Sequence, residues 1–260
     1  MHASPAMPAL FVSHGAPTLA LDDSPAGRFL DALGGELPRP TALIVASAHF
    51  GARQATVGAH AQPPTVHDFH GFPPPLYALR YPAPGAPTLA AHAADLLRAA
   101  GFDTRIDAHA GIDHGVWVPL RRMYPDAEIP VVPLAVNPGA DAAWHFRLGA
   151  ALAPLRREGV LVIGSGGFVH NLHALDWHGR ATPRWAGAFA DWLDARLLAG
   201  DRAAAQDWLH QAPQPLQAHP TPEHLWPLFV AWGAGGGAAR ALHRSWEFGS
   251  LAMHAYAFGD

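Results

Sequence analysis

The sequence predicts an α/β fold: a single domain with a mostly parallel central sheet flanked by helices. Three observations predict it. Short apolar runs without charge, such as Leu43–Ala46 and Val160–Ile163, read as strands buried on both faces. These runs alternate with helical stretches, the order of βαβ units. Three of them run into a histidine at or just past their ends, His14, His49 and His170, and in open α/β sheets ligands bind outside the carboxyl ends of the strands.

Pro8–Ser13 is the first strand, and Gly15 and Pro17 force a turn directly after His14. Ser24 caps a helix with Pro25 at its first position, and Gly34-Gly35 is expected to stop it. Thr41–Ser47 is the strand that delivers His49. Ala55–Val57 reads as a short strand. Residues 63–77 are irregular, rich in proline and aromatics, and read as an ordered lid or pocket wall. Thr88–Ala100 is a helix ended by Gly101, Thr104–Asp107 a strand, and Val116–Met123 a helical segment behind Asp113-His114. Ile129–Val136 is a strand whose prolines suggest an irregular or edge position. Asp141–Arg157 is a helix and Gly159–Gly164 a buried strand leading to His170. Pro183–Ala199 carries Trp185, Phe189, Trp192, Leu193 and Leu197 on one face of a helix, and Ala203–His210 continues helical. A loop from Pro220 becomes a helix with His224 at its start, and Ser250–Phe258 alternates as a final strand. No repeat or linker interrupts residues 1–260, which read as one domain.

Composition narrows the chemistry. A formal charge of −4 gives no electrostatic footprint for nucleic acid. The 17 basic residues are all arginine, which excludes a lysine Schiff base, and the absence of cysteine excludes disulfides, thiolate nucleophiles and sulfur metal sites. Met1–Met7 has no basic region followed by a long apolar one, and no run approaches the ~18–20 apolar residues of a membrane span, so a cytoplasmic protein is expected. The 18 histidines outnumber the arginines. His14, His49, His114, His170 and His224 all fall at strand ends or at the start of loops or helices. Three neutral imidazoles around an open position suit zinc, ferrous iron, copper or nickel. Spacing alone leaves two readings: a metal site at the carboxyl ends of the strands, or several histidines satisfied separately.

Seven segments narrow this further: Ser13–Pro17, Ser47–Phe50, His67–Pro73, Tyr81–Gly85, Asp113–Leu120, Gly164–Leu172 and Glu223–Leu228. Together, and in this order, they resemble the DODA-type (DOPA dioxygenase) branch of the class III, LigB-like extradiol ring-cleavage dioxygenases. The resemblance implies cleavage of a catechol, DOPA-like or another dihydroxyphenyl compound, by O2 to a muconic semialdehyde-type product. It implies Fe(II) for activity, with Zn(II) as an inactive stand-in. His14, His49 and His224 match the metal-ligand positions. His170 matches a histidine that is either a fourth ligand or an acid/base, and His114 a catalytic acid/base beside the metal. The wider superfamily often uses a carboxylate as third ligand, so Glu223 is either that ligand or a charge at a helix N-terminus. Phe69, Phe72 and Tyr77, with Trp117, would wall the aromatic substrate. Asp68 either orients a histidine or caps a turn, and Arg80 is the most placeable cation for a substrate carboxylate. The implied partners are a small catechol and O2, without nucleic acid or membrane, for a monomer or small homo-oligomer. The rivals are a zinc hydrolase with Glu223 as base and a non-catalytic metal-binding protein. Ser165 lies in Gly-Ser-Gly-Gly, which lacks the nucleophile-elbow pattern of a serine hydrolase.

Overall fold

The computed structural model describes residues 6–179 and 181–259; Met1–Pro5, part of the stretch read for a leader, lie outside them. In chain order the elements are β1 (Ala9–Ser13), α1 (Pro25–Glu36), β2 (Ala42–Gly51), β3 (Ala55–Gly58), α2 (Pro74–Ala78), α3 (Pro87–Ala99), β4 (Thr104–Asp107) and α4 (His114–Met123). They continue as β5 (Val131–Val136), α5 (Ala142–Leu152), β6 (Val160–Gly166), α6 (Arg184–Ala199), α7 (Arg202–Gln206), α8 (Trp208–Gln211) and α9 (Pro215–Ala218). The last are α10 (Trp226–Gly235), β7 (Ala239–His243), β8 (Trp246–Glu247), β9 (Leu251–Ala252) and β10 (Ala255–Phe258).

Eight strands form one sheet in the order β4-β3-β5-β2-β6-β1-β10-β7. Its centre, β5-β2-β6-β1, is parallel throughout, while β10 and β7 extend it antiparallel. Alternation along the strands buries both faces. Leu10, Val12, Leu43, Val45, Leu161 and Ile163 pack with α1 and α4 on one side. On the other, Phe11 meets α6 and α10, and Ile44 and Ala46 meet α3 and α5. Side chains of this kind contribute about 1.5–3 kcal/mol each when fully buried. The sheet is thereby a rigid platform for whatever its carboxyl edge carries.

Four expectations are corrected. Gly34-Gly35 does not stop α1, which runs on to Glu36. Gly34 instead permits close approach to α4, because a Cβ there would run into the Met123 carbonyl. Strand β5 is interior, between β3 and β2, despite Pro133. The Val131 N–H points away from β2, to the Pro84 carbonyl, and strand alternation puts the Pro133 nitrogen on that same side. There β3 makes only the single pair Val57–Leu134, so no ladder bond is lost. The helix expected to Arg157 ends at Leu152 and tightens into a 3₁₀ turn, because Pro154 lacks the N–H an α-helix needs. The final strand divides: β9 pairs with β8, and β10 joins the main sheet. Ser24 and Pro25 act as expected, with the Gly27 N–H donating to Ser24 Oγ at 3.1 Å.

Candidate metal centre

Neighbouring central strands β1, β6 and β2 bring three imidazoles to one point. His14 follows β1 directly, and its N–H donates to the Gly166 carbonyl at the end of β6 (3.0 Å). His49 sits on β2 beyond Ser47, where pairing with β6 has ended and the β5 register slips. An irregularity of this kind re-aims a side chain, here toward His14. His224 precedes α10, and its carbonyl accepts the Gly167 N–H at 2.9 Å. A Cβ at Gly166 would lie 2.2 Å from that same carbonyl oxygen, so only glycine lets the backbone of His224 come this close to β6.

His14 Nε2 and His49 Nε2 are 3.1 Å apart, and His49 Nε2 and His224 Nε2 are 3.2 Å apart. What lies behind each ring fixes its tautomer. Ser165 Oγ gives its only hydrogen to the Gly115 carbonyl, so it must accept from His14 Nδ1 (3.1 Å). His224 Nδ1–H donates to Glu223 Oε1 (2.9 Å). His49 Nδ1 faces Asp68 Oδ2 at 3.4 Å. The Nδ1 of His14 and of His224 therefore carries the hydrogen, the Asp68 carboxylate favours the same tautomer of His49, and three Nε2 lone pairs then face one another. Lone pairs that close repel unless a cation lies among them. Nitrogens sharing a first-row ion through bonds of about 2.0–2.1 Å lie about 3.0–3.4 Å apart, so the residues present fit a metal ion. Glu223 orients His224 from behind, the common arrangement of a carboxylate supporting a ligating histidine.

Protonation favours the same state. Burial, then the neighbouring histidines, holds His14 and His224 well below the usual imidazole range. Burial and His114 lower His49 to about 4 against the opposing pull of Asp68 and Glu223. Burial lowers His170 to about 4 as well. Asp68 would be raised by its burial, but its bonds to His114 prevail and lower it to about 2. Neutral imidazoles and an ionised Asp68 follow at neutral pH, as ligation requires.

The centre opens into a cavity of about 360 Å³, lined by His14, His49, His114, His170 and His224 with Phe69, Phe72 and Trp177 among others. His114 is the first residue of α4; its Nδ1 is taken by Asp68 Oδ2 (3.0 Å), which leaves Nε2 as its free nitrogen. The His170 ring lies flat on His224, centroids 3.4 Å apart, and groups with Glu223 and His224 instead of completing the His14–His49–His224 set. Phe69 and Phe72 line the cavity as expected, whereas Tyr77 does not. The short helix α2, set by three consecutive prolines, turns the Tyr77 ring behind Phe69 (5.2 Å), with its hydroxyl accepting the Phe72 N–H. Trp117 is fully buried, its indole N–H donating to the Val66 carbonyl at 2.9 Å. Arg80 is exposed and bonds the Tyr77 and Leu79 carbonyls, away from the cavity. Sequence reasoning missed Trp177, Leu172, Leu175 and Leu251 on the cavity wall, and Ser165 behind His14.

A family model described as the catalytic LigB subunit of aromatic ring-opening dioxygenase matches residues 8–259. The chain belongs to the LigB family. Relatives named 4,5-DOPA dioxygenase extradiol, from Beta vulgaris and from Escherichia coli K12, are each 42% identical over 254 residues. These spans are 95% of this chain, and 95% and 93% of the two relatives. A crystal structure of an uncharacterized Escherichia coli K12 protein superposes with a TM-score of 0.81 at 37% identity, covering 97% of this chain and all of that one. LigB membership makes the chain an enzyme of the aromatic ring-opening dioxygenase class. Together with the three facing nitrogens it supports a metal cofactor. No helix among the described residues is long and apolar enough to cross a membrane.

Proposed function

We propose that this LigB-family chain opens the ring of a catechol beside its paired hydroxyls, with a ferrous ion held by His14, His49 and His224. The observation that carries the reading is the set of three Nε2 atoms, with spacings of 3.1 and 3.2 Å, at the floor of an aromatic-walled cavity. Iron supplies the one-electron chemistry that lets dioxygen react with an aromatic ring, which zinc, without an accessible redox change, does not. The remaining work falls to the protein. Phe69 and Phe72 hold the ring by edge and face contacts and exclude water. His114 Nε2 accepts the proton of the second hydroxyl, because Asp68 has already fixed the hydrogen on Nδ1. His170, neutral and stacked on His224 at the cavity wall, takes up and returns a proton during ring opening.

The names of the relatives make DOPA the first substrate to test. The reading takes residues 1–260 as one catalytic domain, cytoplasmic and monomeric or a small homo-oligomer, acting on small molecules and not on nucleic acid or membranes. The hydrolase alternative is disfavoured by the family, and Glu223 Oε1 is engaged by His224 and Thr221 behind the proposed ligand. Metal-free protein should be loaded anaerobically with iron or with zinc and then given DOPA or 4-methylcatechol in air. Iron-loaded protein is expected to consume one O2 per yellow ring-opened product, and zinc-loaded protein none. No oxygen uptake with any catechol, or equal turnover with zinc, overturns the reading.

A further inference from the structure

Asp68 is the carboxylate of the cavity wall, and it rises from an irregular loop, not from the sheet. Its three contacts lie on two elements, α4 and β2. Oδ1 accepts the backbone N–H of His114 at 2.9 Å, fixing the first turn of α4. Oδ2 faces two imidazoles at once, His114 Nδ1 at 3.0 Å and His49 Nδ1 at 3.4 Å. The same loop supplies Phe69 and Phe72 to the cavity, and the Phe69 ring meets His114 edge-on at 5.7 Å. One carboxylate thus touches the strand carrying a proposed ligand, the helix carrying the proposed base, and the segment carrying the substrate wall.

We propose that Asp68 is a positioning residue that couples metal loading to closure of the aromatic loop. With a cation at the Nε2 atoms, the ring of His49 is held in one orientation and its Nδ1–H becomes a stronger donor. Asp68 is then drawn toward β2 and takes Phe69 and Phe72 with it. The coupling is reciprocal: a loop docked through Asp68 preorganises His49 for the ion. Only a carboxylate fits, because an amide would set its NH2 against either the His114 N–H or the two Nδ1–H groups. The proposal rests on the metal-site part of the functional reading and is independent of which substrate is used.

The test uses the full chain with Zn(II), which is redox-silent, and two readouts besides turnover: zinc affinity by chelator competition, and amide hydrogen exchange over residues 63–77 and at His114. In the wild type, zinc should slow exchange across this loop. Asp68→Asn should weaken zinc binding 10- to 100-fold and abolish the zinc-dependent protection, even at zinc concentrations that saturate the variant. Asp68→Glu, which keeps the acceptor, should recover part of both. With iron and catechol, Asp68→Asn should lower kcat more than it raises KM. Asp68→Asn that binds zinc within twofold of wild type, or that retains loop protection when saturated, overturns the proposal. If Asp68→Asn does not fold, the wild type decides: zinc that adds no protection to the loop refutes the coupling. If zinc binding and loop protection behave as stated while no catechol is cleaved, the coupling stands and the dioxygenase reading falls.

Discussion

Gly166→Ala tests how closely the fold controls the metal centre. The added methyl would begin 2.2 Å from the His224 carbonyl oxygen, just before α10, and 3.2 Å from Pro227 Cγ in its first turn, both on buried residues. Cβ atoms essentially never come within 3.0 Å of such an oxygen, so the His224 backbone must retreat by at least about 0.8 Å. The Gly167 N–H bond to that carbonyl, 2.9 Å long, stretches beyond hydrogen-bonding range. Since His224 Nε2 stands 3.2 Å from His49 Nε2, a displacement of this size pulls one of three nitrogens out of reach of a shared ion. Zinc affinity should fall 10- to 100-fold by chelator competition, as it does when a ligand's support is lost. Turnover with saturating iron should fall about 100-fold, the usual cost of an ångström-scale misplacement, and stability should drop by about 1–3 kcal/mol. Gly35→Ala is the control: nothing lies within 4 Å of its added Cβ, so it should leave metal binding unchanged and stabilise α1 by up to about 1 kcal/mol. A folded Gly166→Ala protein that binds zinc as the wild type does would falsify the claim that this contact sets the position of His224.

Other perturbations act through separate groups. Glu223→Ala removes the acceptor behind His224 and should weaken zinc binding 10- to 100-fold with little change in melting temperature. Phe69→Ala should raise KM for a catechol roughly tenfold or more while leaving zinc affinity intact, separating substrate wall from metal site. His145 is buried, gives its Nδ1–H to the Asp141 carbonyl and accepts the Asn137 N–H on Nε2, and burial lowers it from 6.5 to about 4. The unfolded chain therefore gains this proton first as pH falls. The stability from its neutral form is complete above pH 6.5 and is lost progressively down to about pH 4. Urea unfolding at pH 7 and pH 5 should differ by about 2 kcal/mol through this residue, and His145→Gln should remove that part of the difference.

The buried strands and the histidines they deliver were legible because chain-local patterns encode both: uncharged branched runs with an imidazole at or just past their ends. His14, His49, His114, His170 and His224 line one cavity, as that pattern implied. The supporting partners were legible only in part: Asp68 could be named as orienting a histidine but not which one, and Ser165 not at all, because both come from distant elements. Ser165 lies 151 residues from His14, and Asp68 lies 46 from His114. Nor does the sequence reveal that Ser165 spends its hydrogen on Gly115, the fact that fixes the His14 tautomer. Tyr77 was misplaced because the prolines read as loop residues begin a helical turn, which rotates the ring away from the cavity. The prolines of Ile129–Val136 suggested an irregular or edge position because proline costs a ladder bond. The strand is not at an edge, since the missing donor of Pro133 faces a side with almost no ladder, while its register against β2 does slip.

The three proposed ligands stand 35 and 175 residues apart along the chain. An ion gripping all of them acts as a clasp between the first strand and the last long helix. An ion present at 1,000 times its dissociation constant stabilises the folded form by about 4 kcal/mol, a large part of the ~5–15 kcal/mol by which domains usually exceed their unfolded chains. Starving cells of the metal would then do more than idle the enzyme. The unclasped chain would open more often, proteases would clear it faster, and the amount of protein would follow the metal supply.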